Sequence, residues 1–170
     1  VNKQNLWGLI NVRGREILKA EYDTIYSLVH NYRIVKKHNK YGLVDKTGKL
    51  VVPCKYDDFK SYFANDSFAF QLNGKWGFVS CEDVIKVQFK YDNLCHVYET
   101  VFVGESNGKQ GLFDYNNQTI INPEYDRVLY RPYVGSDISY VKKGDKYAIV
   151  NSRNEVVTKC EFPFGMPSGD

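Results

Sequence analysis

The sequence has little of what most functional classes of protein require. Its 170 residues include one Met, two Trp, three His and four Cys. No apolar run approaches the ~20 residues of a membrane-spanning helix, and no stretch resembles a signal peptide. The charge is nearly balanced, with 23 Lys and Arg against 20 Asp and Glu. We therefore expect no membrane insertion and no nucleic-acid partner, since the basic footprint of nucleic-acid binding is missing.

The residues that usually carry chemistry are scattered. No Ser-His-Asp or Cys-His arrangement is indicated by spacing, and there is no Cys-x-x-Cys pair or His at metal-ligand spacing. We expect no enzymatic activity, no metal and no cofactor. The four Cys occupy non-equivalent positions, which predicts reduced, partly buried thiols. This favours a cytoplasmic protein over an exported one, unless an N-terminal signal has been removed.

Two markers recur in phase along the chain. The first is an aromatic residue followed by Gly, and its copies lie 34, 35, 34 and 37 residues apart: Trp7-Gly8, Tyr41-Gly42, Trp76-Gly77, then Gln110-Gly111 and Tyr147-Ala148. The second is a Tyr-Asp pair: Tyr22-Asp23, Tyr56-Asp57, Tyr91-Asp92 and Tyr125-Asp126. Two markers with one period indicate a tandem array. The predicted units of this single domain are 1–32, 33–67, 68–100, 101–137 and 138–162, before a tail at 163–170.

The second unit predicts how each repeat folds. Residues 33–36, 41–45 and 50–53 are strand-like, and tight turns separate them. Asn73-Gly74 and Asn107-Gly108 are typical of type I′ hairpins. We predict an all-β fold of three-stranded antiparallel meanders, stacked as a short curved solenoid. A five-bladed propeller-like closure, with a fourth strand in each connector, is the alternative, although propeller blades usually need ~40–45 residues.

Each marker has a predicted structural role. Gly weakens a strand, so its recurrence after the aromatic residue predicts a close approach by a neighbouring unit, such as its Tyr ring. The Asp of each Tyr-Asp pair is expected to accept hydrogen bonds from backbone N–H groups about two residues further on. The Tyr is expected to supply buried area.

These features resemble the WG-repeat family of mainly bacterial proteins. The segments that carry the resemblance are 73–79, Asn-Gly-Lys-Trp-Gly-Phe-Val, and 40–53, which adds the Gly turn, an apolar strand and Pro53. The resemblance covers nearly the whole chain. It implies a β-rich repeat protein, and it implies little about activity, because the shared residues are scaffold residues.

The connectors after Tyr-Asp differ most between units and are the predicted binding face. Tyr and Arg often carry the energy of protein interfaces, and connectors of a stacked array lie on one side. The candidate partner-binding residues are Tyr26, His30, Tyr62, Phe63, His96, Tyr98, Arg131 and Tyr133. The leading hypothesis is a non-catalytic protein-interaction module, in one version a bacterial adaptor or toxin-neutralising partner.

The alternative hypothesis is binding of carbohydrate or the cell envelope, in which repeated rings stack on sugars. Sugar binding requires the same ring to be exposed in successive units. A protein interface would use dissimilar connector residues. The connector aromatics are out of register with one another, which favours another protein as the partner.

Overall fold

A computed structural model of the chain describes residues 2–3, 5–130 and 138–160. All regular structure in these ranges is β, in nineteen strands. The all-β repeat prediction is confirmed, and the described residues contain no helix long and apolar enough to cross a bilayer. The chain divides into two compact parts, 1–90 and 91–170. The single-domain assignment stays a prediction.

The first part is built from three antiparallel sheets in which chain neighbours pair. The first sheet has three strands: β1 (Asn2–Lys3), β2 (Leu6–Ile10) and β3 (Glu16–Tyr22). The second has four: β4 (Thr24–Val29), β5 (Tyr32–Lys37), β6 (Lys40–Asp45) and β7 (Leu50–Tyr56). The third has β8 (Asp58–Ala64), β9 (Ser67–Leu72), β10 (Lys75–Ser80) and β11 (Ile85–Tyr91).

The second part contains two further sheets of the same order. The fourth sheet has β12 (Asn93–Val97), β13 (Val101–Ser106), β14 (Lys109–Asp114) and β15 (Thr119–Tyr125). The fifth has β16 (Arg127–Tyr130), β17 (Ile138–Lys143), β18 (Lys146–Asn151) and β19 (Val156–Cys160). A strand from the predicted connector therefore opens every sheet after the first.

This fourth strand corrects the prediction of three-stranded meanders. The connector strands were not recognised from the sequence, because the alternation of apolar and polar residues breaks within them. Register shifts interrupt β4 between Ile25 and Leu28, and β8 between Lys60 and Phe63. A β-bulge changes which face the following side chains occupy, so the period of two is lost.

The recurring Gly faces the backbone of the last strand of its own sheet, which we call the outer strand. A Cβ on Gly42 would lie 2.5 Å from the carbonyl oxygen of Val52 and 2.8 Å from the amide nitrogen of Cys54. A Cβ on Gly8, Gly77 or Gly111 would lie 2.6, 2.5 or 2.7 Å, respectively, from the equivalent carbonyl oxygen. The prediction of a close approach is confirmed. The predicted neighbour, a ring of the next unit, is wrong at these four positions.

A bulge in the outer strand causes this contact. Between the paired positions Tyr41–Tyr56 and Leu43–Val52, β6 advances two residues while β7 advances four. The extra residues bend β7 over the Gly. In the fifth sheet, Ala148 pairs directly with Lys159 and the register is regular there. A Cβ is therefore tolerated at this position only where the outer strand has no bulge.

A second repeated device was missed by the sequence analysis. The residue at the end of the strand that carries the aromatic-Gly marker accepts, through its side chain, hydrogen bonds from the amides two and four residues further on. In the second sheet, Asp45 accepts the amide of Thr47 at 2.8 Å and that of Lys49 at 3.0 Å. The same position holds Asn11, Ser80, Asp114 and Asn151. Asx and Ser turns of this kind fix the tight turn before the outer strand.

The units themselves predict the effect of substitutions at this position. We expect Asp45→Asn to be nearly neutral, since Asn makes the same two bonds in the first and last units. Asp45→Ala removes the acceptor and should cost about 1 kcal/mol of unfolding free energy. Urea-induced unfolding of both variants measures the difference, and equal midpoints would contradict the turn's role.

The Tyr of each Tyr-Asp pair lies in the core, as predicted. Tyr22, Tyr56, Tyr91 and Tyr125 are 3, 1, 1 and 7% exposed. Tyr56 stacks on Phe70 with ring centroids 4.6 Å apart, within a cluster that also contains Ile34 and Leu43 of the second sheet. Burial raises the pKa of Tyr56 well above its ordinary value, and the nearby Asp83 carboxylate adds to this shift.

Candidate interaction surface

The acids of the Tyr-Asp pairs bind hairpin turns of the sheets that they precede. Asp57 Oδ2 accepts the amide of Asn73 at 2.6 Å, and Asp126 Oδ2 accepts the amide of Gly144 at 2.6 Å. Asp23 and Asp92 accept equivalent turn amides at 3.1 and 2.7 Å. The predicted local partner is therefore wrong, because these amides lie 15 to 18 residues further along the chain.

Two of these acids also join successive sheets through Lys. Lys40, in the second sheet, donates to Asp57, which precedes the third sheet. Lys109 Nζ donates to Asp126 Oδ1 at 2.5 Å in the same way. The Lys bond, followed by the turn amide, lowers the pKa of Asp57 and of Asp126 below the ordinary value of a carboxyl. The repeated acids thus have structural partners.

The Asp57 contacts predict an acid-sensitive contribution to stability. Its pKa is lower in the folded chain than in the unfolded chain. Its contribution is therefore present above the unfolded-state pKa and is lost as the pH falls through the folded-state pKa. We expect Asp57→Asn to flatten the fall in stability below about pH 5. Urea unfolding at a series of pH values tests this, and an unchanged slope would contradict it.

The structure gives different environments to the predicted binding residues. Tyr26 is half-buried, with its ring centroid 4.8 Å from that of Phe59. Tyr62 is half-buried on β8, and His30 is exposed in the turn between β4 and β5. The Tyr98 hydroxyl donates to the backbone oxygen of Tyr130 at 2.7 Å, so Tyr98 has a packing role.

The remaining candidates cannot be placed in a common site. The backbones of Phe63 and His96 lie in β8 and β12, but their side chains lie outside the described part of the structure. Arg131 and Tyr133 fall in 131–137, also outside the described residues. The connector residues as a group therefore stay a prediction. Of the eight, Tyr26 contributes to the cluster described next, and the ring centroid of Tyr62 lies 5.9 Å from Lys60 Nζ of that cluster.

Aromatic and Lys side chains form two groups of contacts, one that joins the second and third sheets and one within the third sheet. The ring of Tyr41 lies 6.2 Å from that of Tyr26 and 5.1 Å from that of Phe59, measured between centroids. Lys36 Nζ lies 5.2 Å from the Tyr41 centroid. Lys60, on the strand that carries Phe59, reaches the ring of Trp76 at 4.9 Å. We call this the tyrosine–lysine patch: Tyr26, Lys36, Tyr41, Phe59 and Lys60.

The electrostatic character of the patch is cationic and amphipathic. Each Lys ammonium lies over the face of an aromatic ring, a favourable cation–π position, and both Lys side chains are half-buried. Burial, together with a hydrogen bond to Tyr41, raises the pKa of the Tyr26 hydroxyl above its ordinary value. The half-buried ring of Tyr41 beside the Lys36 ammonium provides apolar area and positive charge at one place.

Part of this patch was accessible from the sequence. The hairpin around Asn39 places Lys36 directly opposite Tyr41, as the observed register shows, and cross-strand neighbours of this kind interact. The contribution of Phe59 and Lys60 could not be found, because it depends on β8 being a strand of the next sheet.

The patch does not recur in the fourth sheet. Its equivalent positions there hold Cys95, Glu105 and Gln110. Gln110 Nε2 donates to the Cys95 sulfur at 3.1 Å, and Gln110 Oε1 accepts the amide of Val128 at 3.0 Å. The aromatic position is thus replaced by a polar network. The Lys-over-ring pair returns in the fifth sheet, where Lys142 Nζ lies 5.7 Å from the Tyr147 centroid, so this pair is present in some units and absent from others.

Comparison with known proteins identifies the repeat. The family model described as the WG-containing repeat matches residues 7–41, 41–76 and 111–147, which together make up more than half of the chain. None of the curated proteins matches the sequence. The matched segments begin or end at the aromatic-Gly marker, where the structure places the backbone contact with the outer strand.

Solved structures are similar to the chain at low sequence identity. Apo AztD from Citrobacter koseri is 16% identical, with a TM-score of 0.50 over 92% of this chain and 53% of that chain. Hsv2 from Kluyveromyces lactis is 11% identical, with a TM-score of 0.49 over 85% of this chain and 54% of that chain. The chain spans about half the length of these proteins, and the likeness concerns the fold alone.

Proposed function

This chain belongs to the WG-repeat family, and from that premise we propose that it is a non-catalytic protein-binding module. The tyrosine–lysine patch is the observation that carries the proposal. The residues that recur from unit to unit form the turns, the core and the contacts between strands. Binding specificity therefore belongs to residues that differ between units, and the patch is an aromatic cluster of such residues.

The composition of the patch favours a protein partner with an acidic surface. Tyr and Trp are enriched at interface hot spots, where partly buried rings supply most of the binding energy. The Lys36 and Lys60 ammonium groups would bind carboxylates of the partner and increase the association rate. An adaptor or a toxin-neutralising protein, each of which covers a surface of another protein, is the finer form of this proposal.

The non-catalytic part of the proposal is supported by the state of the acids. Asp57 and Asp126 are each bound by a turn amide and a Lys. Within 2–3, 5–130 and 138–160, no group of three or more His, Cys, Asp and Glu side chains could hold a metal ion. Half-buried or buried thiols at Cys54, Cys81 and Cys95 support a reducing compartment.

Uneven ring exposure weighs against the carbohydrate alternative. At the aromatic-Gly position, Trp7 is 46% exposed, whereas Trp76 is 6% exposed. The equivalent Gln110 carries no ring. A row of sugar-stacking rings at this position is therefore interrupted, although retention on envelope glycans remains the outcome that would revive the alternative.

A pair of charge-reversal variants tests the proposal. Lys36→Glu with Lys60→Glu changes the patch, and Lys19→Glu with Lys46→Glu makes the same charge change at exposed positions outside it. Affinity capture from the source lysate should recover a stoichiometric acidic protein with the parent chain and the control, and not with the patch variant. Equal recovery by both variants would reject the patch. Recovery of glycans in place of a protein would reject the protein-binding function.

A further inference from the structure

Two hairpin turns of the chain place an Asn directly before a Gly. Asn73-Gly74 joins β9 to β10, and Asn107-Gly108 joins β13 to β14. Both Asn are exposed, and a Cβ added to either Gly would meet no atom beyond the adjacent residues within 4 Å. Both turns are therefore open to water. Asn is a labile residue, and it is most labile before Gly, because no side chain shields the next backbone nitrogen.

The reaction of an Asn-Gly pair takes place within the chain. The backbone nitrogen of Gly74 would lose its proton and attack Cγ of Asn73. A C–N bond forms, and the side-chain amide nitrogen leaves as ammonia. Water then opens the cyclic imide at one of its two carbonyl carbons, which gives Asp or isoaspartate. The reaction requires only water and a Gly nitrogen that can lose its proton and turn towards Cγ.

The acid of the Tyr-Asp pair opposes the first step of this reaction. Asp57 Oδ2 accepts the amide of Asn73 at 2.6 Å, and the amide of Gly74 also donates to the Asp57 carboxylate. A carboxylate stabilises the N–H group and disfavours the negative charge that develops when its proton leaves. Asp57 is also a weak base, because the Lys40 bond, followed by the turn amides, lowers its pKa below the ordinary value.

The fourth sheet repeats the arrangement in the other compact part of the chain. Asp92 Oδ2 accepts the amide of Asn107 at 2.7 Å. Asp57 and Asn73 belong to the part that covers 1–90, and Asp92 and Asn107 belong to the part that covers 91–170. The reaction rate at one Asn is therefore an internal reference for the rate at the other.

From these contacts we propose that Asn73 and Asn107 are sites of spontaneous deamidation, and that Asp57 and Asp92 slow the reaction by holding the two turns. The Tyr-Asp acids thus have a protective role in addition to their structural one, and this role does not depend on partner binding. Deamidation of Asn73 adds a carboxylate to a residue whose own amide binds Asp57. The resulting repulsion between like charges weakens the hairpin.

Peptide mapping by mass spectrometry measures both sites in one sample of the folded chain, kept in mildly alkaline buffer. Asp57→Ala should raise the deamidation rate several-fold at Asn73 and leave Asn107 at the rate of the parent. Asp92→Ala should have the reverse effect. Asp45→Ala weakens a turn that contains neither Asn, so both rates should stay those of the parent.

Asp57→Asn separates the charge from the hydrogen bond. This variant keeps an acceptor oxygen for the turn amides and loses the negative charge. We expect a deamidation rate at Asn73 between those of the parent and of Asp57→Ala. Because the substitution preserves the size of the side chain, it also tests the proposal if Asp57→Ala does not fold.

Four results would overturn the proposal. The first is a rate at Asn73 that neither Asp57 variant changes. The second is a lower rate at Asn73 in these variants, which would mean that the carboxylate acts as a base. The third is equal acceleration at Asn73 and Asn107 by Asp57→Asn, which would mean that opening of the whole chain sets the rate. The fourth is faster deamidation at an Asn that does not precede Gly.

Discussion

Gly42→Ala is expected to lower the free energy of unfolding by about 3 kcal/mol. The added Cβ would lie 2.5 Å from the Val52 carbonyl oxygen and 2.8 Å from the Cys54 amide nitrogen and the Pro53 carbonyl carbon. All three are backbone atoms of β7, so no side-chain rotation can relieve the overlap. Relief requires β7 to move away from β6, which would disturb the core contact of Val52. Equilibrium urea unfolding measures the loss.

The reverse substitution in the fifth sheet is the matched control. Ala148 lies at the same repeat position, opposite a strand that is regular there. Ala148→Gly should cost only about 0.5–1 kcal/mol, the usual cost of placing Gly within a strand or helix. If the two substitutions have equal effects, the bulge of the outer strand is not the reason for Gly.

Tyr56→Ala is expected to have the largest effect of any single substitution considered, about 3–5 kcal/mol. Tyr56 is 1% exposed, and its ring lies 4.6 Å from that of Phe70 and 5.6 Å from that of Phe89. Truncation would leave a cavity between two sheets and remove both ring contacts. Thermal and urea unfolding should both show the loss, and a midpoint within error of the parent's would contradict the core role of the Tyr-Asp marker.

Tyr56→Phe separates the ring from the hydroxyl. The hydroxyl donates to Asp83 Oδ1 at 3.1 Å, and Asp83 is also bound by Lys55 at 2.6 Å. Since Asp83 keeps its Lys, losing this bond should cost only about 1 kcal/mol. A loss as large as that of Tyr56→Ala would mean that the hydrogen bond, and not the ring, is what the position requires.

Much of the fold could be predicted because its signals are local. The hairpin residues Asn73 and Gly74 have φ angles of 52° and 76°, as the Asn-Gly pair predicts. Even the third unit, which lacks the Gly of the second turn, keeps the required left-handed conformation at Asp83, with φ of 61°. Turn chemistry and a fixed period are readable from a single sequence because each depends on neighbouring residues.

Two of the errors concern partners that are distant in the chain. Asp57 was expected to bind a nearby amide and instead binds Asn73, 16 residues away. The neighbour of Gly42 was expected in another unit and is the outer strand of its own sheet. The connector strands were missed for another reason, because their bulges hide the alternation. Side-chain spacing predicts which residues are repeated. It does not predict which backbone atoms those residues contact.

The candidate surface was predicted only in part for the same reason. Tyr26 was named as a binding residue, whereas Tyr41 was assigned to the scaffold marker alone. Their contact with Phe59 joins two sheets, so it follows from the stacking of sheets and not from any local pattern. The position of Lys36 beside Tyr41 could be predicted from the hairpin register, whereas the position of Lys60 could not.

Amide hydrogen exchange tests the four-stranded unit most directly. The amides of the Tyr-Asp acids donate to backbone oxygens of the neighbouring strand at 2.8 Å: Asp23 to Lys36, Asp57 to Gln71, Asp92 to Glu105 and Asp126 to Lys142. We predict that these four amides exchange slowly, with protection close to that of the central strands. Exchange at the rate of an unfolded peptide would show that the connectors are open loops, and would contradict both the four-stranded sheets and the patch that depends on β8.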